Sequence, residues 1–171
     1  QSLSKIFPDE LEGYSILYNF ILISKNEIQA LKKESNHNKQ KKLLFSFSVW
    51  SDRYISLFND VCLASLLAPQ NIPYISQIRD IHFEIFAHEN EISKIEGLRN
   101  ISALKKFCNV TFIPFPEKLV SCKTYFNEHG LLRYYIYGGF HHLSIEHAKI
   151  LDADVICLGP DNLYSNNTFK N

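Results

Sequence analysis

The sequence predicts an α/β domain: a mostly parallel open sheet with helices on both faces, preceded by a helical appendage. Three observations carry this prediction. Short apolar runs at residues 43–49, 81–86, 110–115 and 154–159 suit strands. Stretches with helical spacing lie between them, and Pro or Gly punctuates the joins. A strand–helix repeat of this kind builds βαβ units, whose crossovers make neighbouring strands run parallel.

The first element precedes the sheet. Leu11, Tyr14, Leu17, Ile21, Ile28 and Leu31 recur close to a 3.6 period, which predicts a helix over residues 11–33. Residues 32–42 follow, rich in lysine with Glu34 as their one carboxylate, and read as a solvated linker. The expected organisation is therefore a helix and linker over 1–42 and an α/β domain over 43–171.

Leu43-Leu44-Phe45-Ser46-Phe47-Ser48-Val49 opens that domain as a buried strand. Tyr54, Leu57, Phe58, Val61 and Leu66 give residues 54–67 helical spacing. Pro69 and Pro73 then forbid its continuation, because proline has no backbone N–H to donate. Residues 81–86 alternate enough for a second strand, and residues 90–107 form a helical stretch with a break at Gly97. A third strand over 110–115 is closed by Pro114 and Pro116. The aromatic-rich stretch 119–137 is read as helix, residues 140–151 as another, and 154–159 as a fourth strand ended by Pro160.

Composition narrows the function classes. A chain of 171 residues can bury one proper core, and 46% apolar with 21% charged residues is globular composition. Lys+Arg and Asp+Glu both count 18, so the basic excess of a dedicated nucleic-acid binder is missing. Cys62, Cys108, Cys122 and Cys157 lack metal-type spacing and are expected to be reduced thiols, as in a cytoplasmic protein. The most apolar early stretch, residues 14–23, is interrupted by Ser15 and Asn19 and falls short of the roughly 20 residues of a membrane span. The chain starts at Gln1 and has no Met, which reads as a piece of a longer protein.

Open parallel sheets bind ligands beyond the carboxyl ends of their strands. Chemistry is therefore expected at residues 49–53, 87–91 and 160–165. Asp161 follows the fourth strand, with Asn162 and Asn166 as further oxygen donors, and a carboxylate there suits a hard divalent cation. Asp152-Ala153-Asp154 has the Asp-x-Asp spacing but stands at the amino end of the same strand, so a helix-to-strand turn is expected instead. His141, His142 and His147 share one helix without a second cluster to complete a zinc site. They are expected as surface or core histidines, with His142 also able to donate to a phosphate. Trp50 suits a stacking platform or a core position. No glycine-rich phosphate loop occurs.

Three stretches resemble a family of bacterial glycosyltransferase-like proteins of the GT-A type. They are Val49-Trp50-Ser51-Asp52-Arg53-Tyr54-Ile55 with the run from Leu63 to Pro73, then Phe83-Glu84-Ile85-Phe86-Ala87-His88-Glu89, and finally His142 to Ala148 with Ala153 to Asp161 and Ser165 to Phe169. The family tends to carry Trp-Gly where this chain has Trp50-Ser51. The resemblance implies a nucleotide-sugar donor site in a Rossmann-like fold. Val49, Trp50 and Asp52 would contact the nucleotide, and His88 and Glu89 would lie beside the base. Asp161 would hold Mn²⁺ or Mg²⁺ in place of the family's Asp-x-Asp. The acceptor would be an unknown glycan or lipid-linked molecule. Phe140-His141-His142-Leu143-Ser144 also resembles the His-Leu-Ser block of SGNH-type esterases and acyltransferases, for which Ser51 and His142 would be the nucleophile and base. A non-catalytic Rossmann-like binding module is the third reading.

Overall fold

The computed structural model describes residues 8–30, 41–121 and 131–169. Strands β1 (Lys42–Val49), β2 (Asp80–His88), β3 (Asn109–Phe115) and β4 (Ala153–Leu158) form one sheet in the order β3-β2-β1-β4. Every neighbouring pair is parallel, with Phe45 opposite Phe83 on one side and Ile156 on the other. The fold is thus α/β with an open, Rossmann-like sheet, as the strand–helix alternation predicts. The sequence and the structure agree on the strands to within about two residues at their ends, the usual margin for such boundaries.

Side-chain alternation divides the interior into two layers. Leu43, Phe45, Phe47 and Val49 face one side with Phe83 and Ile85, where Phe83 stacks on Phe45 at 5.0 Å and on Phe47 at 5.5 Å. Helices α2 (Asp52–Leu57), α3 (Ala64–Leu66), α4 (Ile72–Ile75), α5 (Ile92–Glu96) and α6 (Arg99–Leu104) cover this face. On the opposite face Phe86, Ile113 and Phe115 pack beneath α1 (Pro8–Ala30), α7 (Lys118–Ser121) and α8 (Leu132–Leu151). Leu17, Phe20 and Ile28 of α1 are buried there beside Phe140, so the helix ahead of the sheet is a layer of the core.

The helices depart from expectation in informative ways. The first crossover runs from α2 through a π-helical stretch, Phe58–Leu63, into α3; this stretch buries Phe58, Cys62 and Leu63. Pro69 and Pro73 do end that helix, yet Pro73 sits in the first turn of α4, where its missing N–H would have had no partner. The break expected at Gly97 separates α5 from α6. Helix α8 runs unbroken from Leu132 to Leu151, joining the end of the helix expected over 119–137 to the one expected over 140–151, and carries Gly138-Gly139 in its interior. A Cβ on Gly139 would stand 2.9 Å from Ile21 Cδ1, so the bare backbone lets α1 approach closely. The residues expected as linker and helix at 32–40 and 122–130, Cys122 included, lie outside the described residues. No helix among the described residues is long and apolar enough to cross a membrane.

Candidate functional site

The strand order reverses at β1: the chain runs out to β2 and β3, then crosses back to place β4 on the other side of β1. Such a switch point parts the connecting loops and opens a crevice beyond the carboxyl ends of β1 and β4. Two adjoining pockets occupy this region. The smaller, about 210 Å³, lies between Trp50 after β1, Tyr137 on α8 and Gly159-Pro160-Asp161 after β4. The larger, about 520 Å³, extends along the ends of β2 and β3, where it meets His88, Glu91 and Glu117. Trp50 and Tyr54 line both.

Trp50 fills both of the roles its chemistry allows. It is half-buried, edge-on to Phe115 at 5.5 Å and tilted against Tyr137 at 5.5 Å, and it still lines both pockets. The core thus fixes the indole at the mouth of the crevice.

Ser51 follows with φ 68° and ψ 148°, a backbone region that is essentially glycine's own. Both carboxylate oxygens of Glu91 accept its N–H, at 3.1 and 3.2 Å, and tie the β1 loop to the turn after β2. Ser51→Gly is expected to raise unfolding stability by about 1 kcal/mol, since strain of this type costs roughly 1–3 kcal/mol and glycine's looser unfolded chain offsets part of the gain. Urea denaturation checks this; a loss of stability would show that the serine side chain supports the loop.

Of the residues singled out in the sequence, Trp50, His88 and Asp161 come together around the paired pockets. Val49 is fully buried with its side chain in the core, so only its backbone reaches the crevice end. Asp52 is exposed and ion-paired with Lys94. Glu89 and His142 are exposed and line neither pocket. Among the described residues no hydrogen bond joins Ser51 to His142, and Ser51 is held by Glu91 instead.

Glu91 falls in the expected 87–91 loop, whereas Glu117, Tyr54 and Tyr137 are lining residues that the sequence reading does not single out. The residues after β3, including Glu117, satisfy the same strand-end rule that pointed to the other three loops. Glu91 supplants Glu89 because a 3₁₀ turn over Glu89–Glu91 swings the third residue inward.

His88 is 8% exposed, and its Nε2 is buried without a hydrogen-bond partner among the described residues. Among the described residues, three lining side chains are carboxylates (Glu91, Glu117 and Asp161), and none is Lys or Arg. The described lining of the crevice is therefore acidic.

Gly159 shapes the turn that presents Asp161: a Cβ there would stand 3.1 Å from Asp161 Oδ1 and 3.2 Å from Asn162 Nδ2. Cys62 lies beneath, its thiol directed at the Gly159 carbonyl at 3.8 Å. Burial, reinforced by the Asp161 carboxylate, pushes that thiol up to about 12, so it stays protonated. Asn166 faces elsewhere, its Oδ1 accepting the Gln70 N–H at 3.2 Å. Asp152 occupies the left-handed C-cap of α8 at φ 55°, and Asp154 pairs with Lys41 at 2.9 Å and Arg79 at 2.7 Å. Hydrogen bonds from Lys41 and Arg79 hold the Asp154 carboxyl below its ordinary range. The Asp-x-Asp spacing is a turn, at the end of the sheet away from the crevice.

A second polar group lies deep under α8 and lines neither pocket. Glu84 on β2 is fully buried; Ser144 donates to its Oε1 at 2.7 Å, and His147 Nδ1 lies 2.5 Å from its Oε2. Ser46 and Ser144 share a further bond of 2.7 Å. Of the three histidines on α8, His147 is thus a core histidine and His141 and His142 are on the surface.

Comparison with protein-family models, curated proteins and solved structures gives no match.

Proposed function

We propose that this chain is the donor-binding portion of a GT-A-like glycosyltransferase, which takes a sugar from a nucleoside diphosphate to a glycan or lipid-linked acceptor. The observation that carries this reading is the shared crevice: Trp50 and Asp161 face one pocket at the strand-order reversal, and Trp50 continues into the pocket that holds His88. A base beside Trp50 and His88 would direct its phosphates toward Asp161.

The lining charges set the terms for such a ligand. With no Lys or Arg among the described lining residues, a diphosphate would meet carboxylates and be repelled. No group of three or more His, Cys, Asp or Glu able to hold a metal occurs among the described residues. One carboxylate with phosphate oxygens completing the shell is, however, a common arrangement for Mg²⁺, and Asp161 fits it. A divalent cation held there would neutralise charge on the departing diphosphate. Asp161 would hold the cation that orients the phosphates, Trp50 offers a face to the base, and the Gly159 turn keeps the carboxylate at the crevice floor.

Isothermal titration with nucleoside diphosphates, with and without Mn²⁺, tests this reading. Wild type is expected to bind with Mn²⁺ and at least tenfold more weakly without it. Asp161→Ala should lose the Mn²⁺-dependent gain while melting at an unchanged temperature. Equal binding with and without metal would remove Asp161 from the proposed role, and no binding of any nucleotide by the folded protein would sink the transferase reading.

A further inference from the structure

We infer that the larger pocket is a binding site for a primary ammonium group, a ligand chemistry that the nucleotide-sugar reading does not use. The inference rests on the lining of this pocket and not on that reading. The sheet order β3-β2-β1-β4 sets the strand ends in a row, so the part of the pocket at Glu117, Val120 and Ser121 is the part farthest from Asp161.

The charge along its wall is one-sided. Glu91 and Glu117 line it, and among the described residues no Lys or Arg does. Glu117 is exposed and has no hydrogen-bond or ion-pair partner among the described residues. Glu91 receives the Ser51 N–H, and each of its carboxylate oxygens keeps a second lone pair. The basic side chains on the surrounding helices do not fill the pocket. Lys94 of α5 is ion-paired with Asp52, and Lys118 of α7 is exposed outside the lining. Arg53 of α2 stands 6.0 Å from the centre of the Tyr54 ring and is also outside it.

The remaining lining suits a cation. Trp50 and Tyr54 share the wall with the two carboxylates, and the negative face of an aromatic ring attracts positive charge. The Ser51, Tyr54 and Ser121 hydroxyls can each accept an N–H, whereas His88 Nε2 is closed off from solvent. Those hydroxyls and the Trp50 indole N–H are also donors, but neutral ones, so an anion would meet two carboxylates with no opposing charge. A primary ammonium brings three N–H donors to this set of acceptors. A quaternary ammonium brings none and would depend on the rings alone. At about 520 Å³ the pocket has room for the molecule that carries the ammonium, an amino sugar or a small amine headgroup.

The test is a heteronuclear NMR titration of the whole chain near neutral pH, free of metal and nucleotide. Trp50 is the chain's one tryptophan, so its indole N–H signal reports on the pocket without ambiguity. Four ligands are compared at matched ionic strength: glucosamine, its uncharged counterparts glucose and N-acetylglucosamine, and ethanolamine. Both amines should move the Trp50 signal and the Glu117 and Ser121 amides along a saturating curve. The two uncharged sugars should bind about tenfold more weakly or worse, since they lack the charge that strengthens the bonds. Glucosamine binding more tightly than ethanolamine assigns the ammonium to an amino sugar, and the reverse order to an amine headgroup; either order upholds the site. Glu117→Gln keeps the shape of an exposed side chain and should weaken glucosamine about fivefold, as expected for one partly solvated charged contact. Glu91→Gln should weaken it too, with a thermal melt to separate ligand binding from the Ser51 tether. Glucose binding as tightly as glucosamine, or an affinity unmoved by either variant, would overturn the proposal. So would the absence of any shift with both amines, and with no nucleotide present that failure would leave the nucleotide reading to its own titration.

Discussion

His147→Leu is expected to destabilise the fold by about 1–3 kcal/mol or more, the usual cost of leaving a buried polar group without its hydrogen-bond partner. The reason is what it strands. Glu84 lies in the middle of β2 with no exposure, between β1 and β3, and its carboxylate keeps only the Ser144 hydroxyl once the imidazole is gone. Glu84→Leu leaves the complementary fault, an imidazole lying 4% exposed without its acceptor. The double variant should be less damaging than the sum of the two. Ser144 would still donate to the Phe140 carbonyl at 2.9 Å and share its bond with Ser46, so no polar group is left unpaired. Replacing a whole buried pair with apolar residues is often neutral for the same reason. Urea unfolding of the wild type, the two single variants and the double variant gives the coupling directly. Strict additivity, or single losses below about 1 kcal/mol, would mean that the pair contributes little in this setting.

That cluster also marks where sequence reasoning ends. Apolar runs and their period place β1 to β4 within a residue or two, because a strand buried on both faces needs local apolar content and little else. The partner of a buried polar group is not local. Ser46 meets Ser144 across 98 positions, and Glu84 meets Ser144 across 60. Ser46 interrupts the apolar run of β1 and is nonetheless buried in the centre of the sheet.

The crevice was legible at the same level. The strand-end rule leads to the loops holding Trp50, His88 and Asp161, since topology alone decides which ends of the strands gather. Which residue of a loop turns inward depends on one or two dihedral angles. The positive φ of Ser51 and the 3₁₀ turn at Glu89–Glu91 give Glu91 the position expected of Glu89, and leave Asp52 outside with Lys94. Gly138-Gly139 weakens helical propensity in the middle of α8. In the fold the contact of α1 at Gly139 outweighs that penalty.

Trp50→Ala is expected to weaken nucleotide binding by about 5- to 150-fold in the presence of Mn²⁺. Stacking of a base on an aromatic side chain is worth about 1–3 kcal/mol, and that range converts to this span of affinity. The Trp50 ring is set at the junction of the two pockets by its contacts with Phe115, Tyr137 and Phe140. A ring held in this way loses little conformational freedom when a ligand stacks on it, which preserves the stacking energy as affinity. The same packing means that alanine also opens a void beside Phe115, so lower affinity alone would be ambiguous. Trp50→Phe separates the two effects. It retains an aromatic face and most of the packing, and should bind within a few-fold of wild type. A loss of binding that follows the melting temperature through both variants would make Trp50 a core residue only. Lost affinity in the alanine variant at temperatures where it remains folded, with binding kept in the phenylalanine variant, would put the base against the ring.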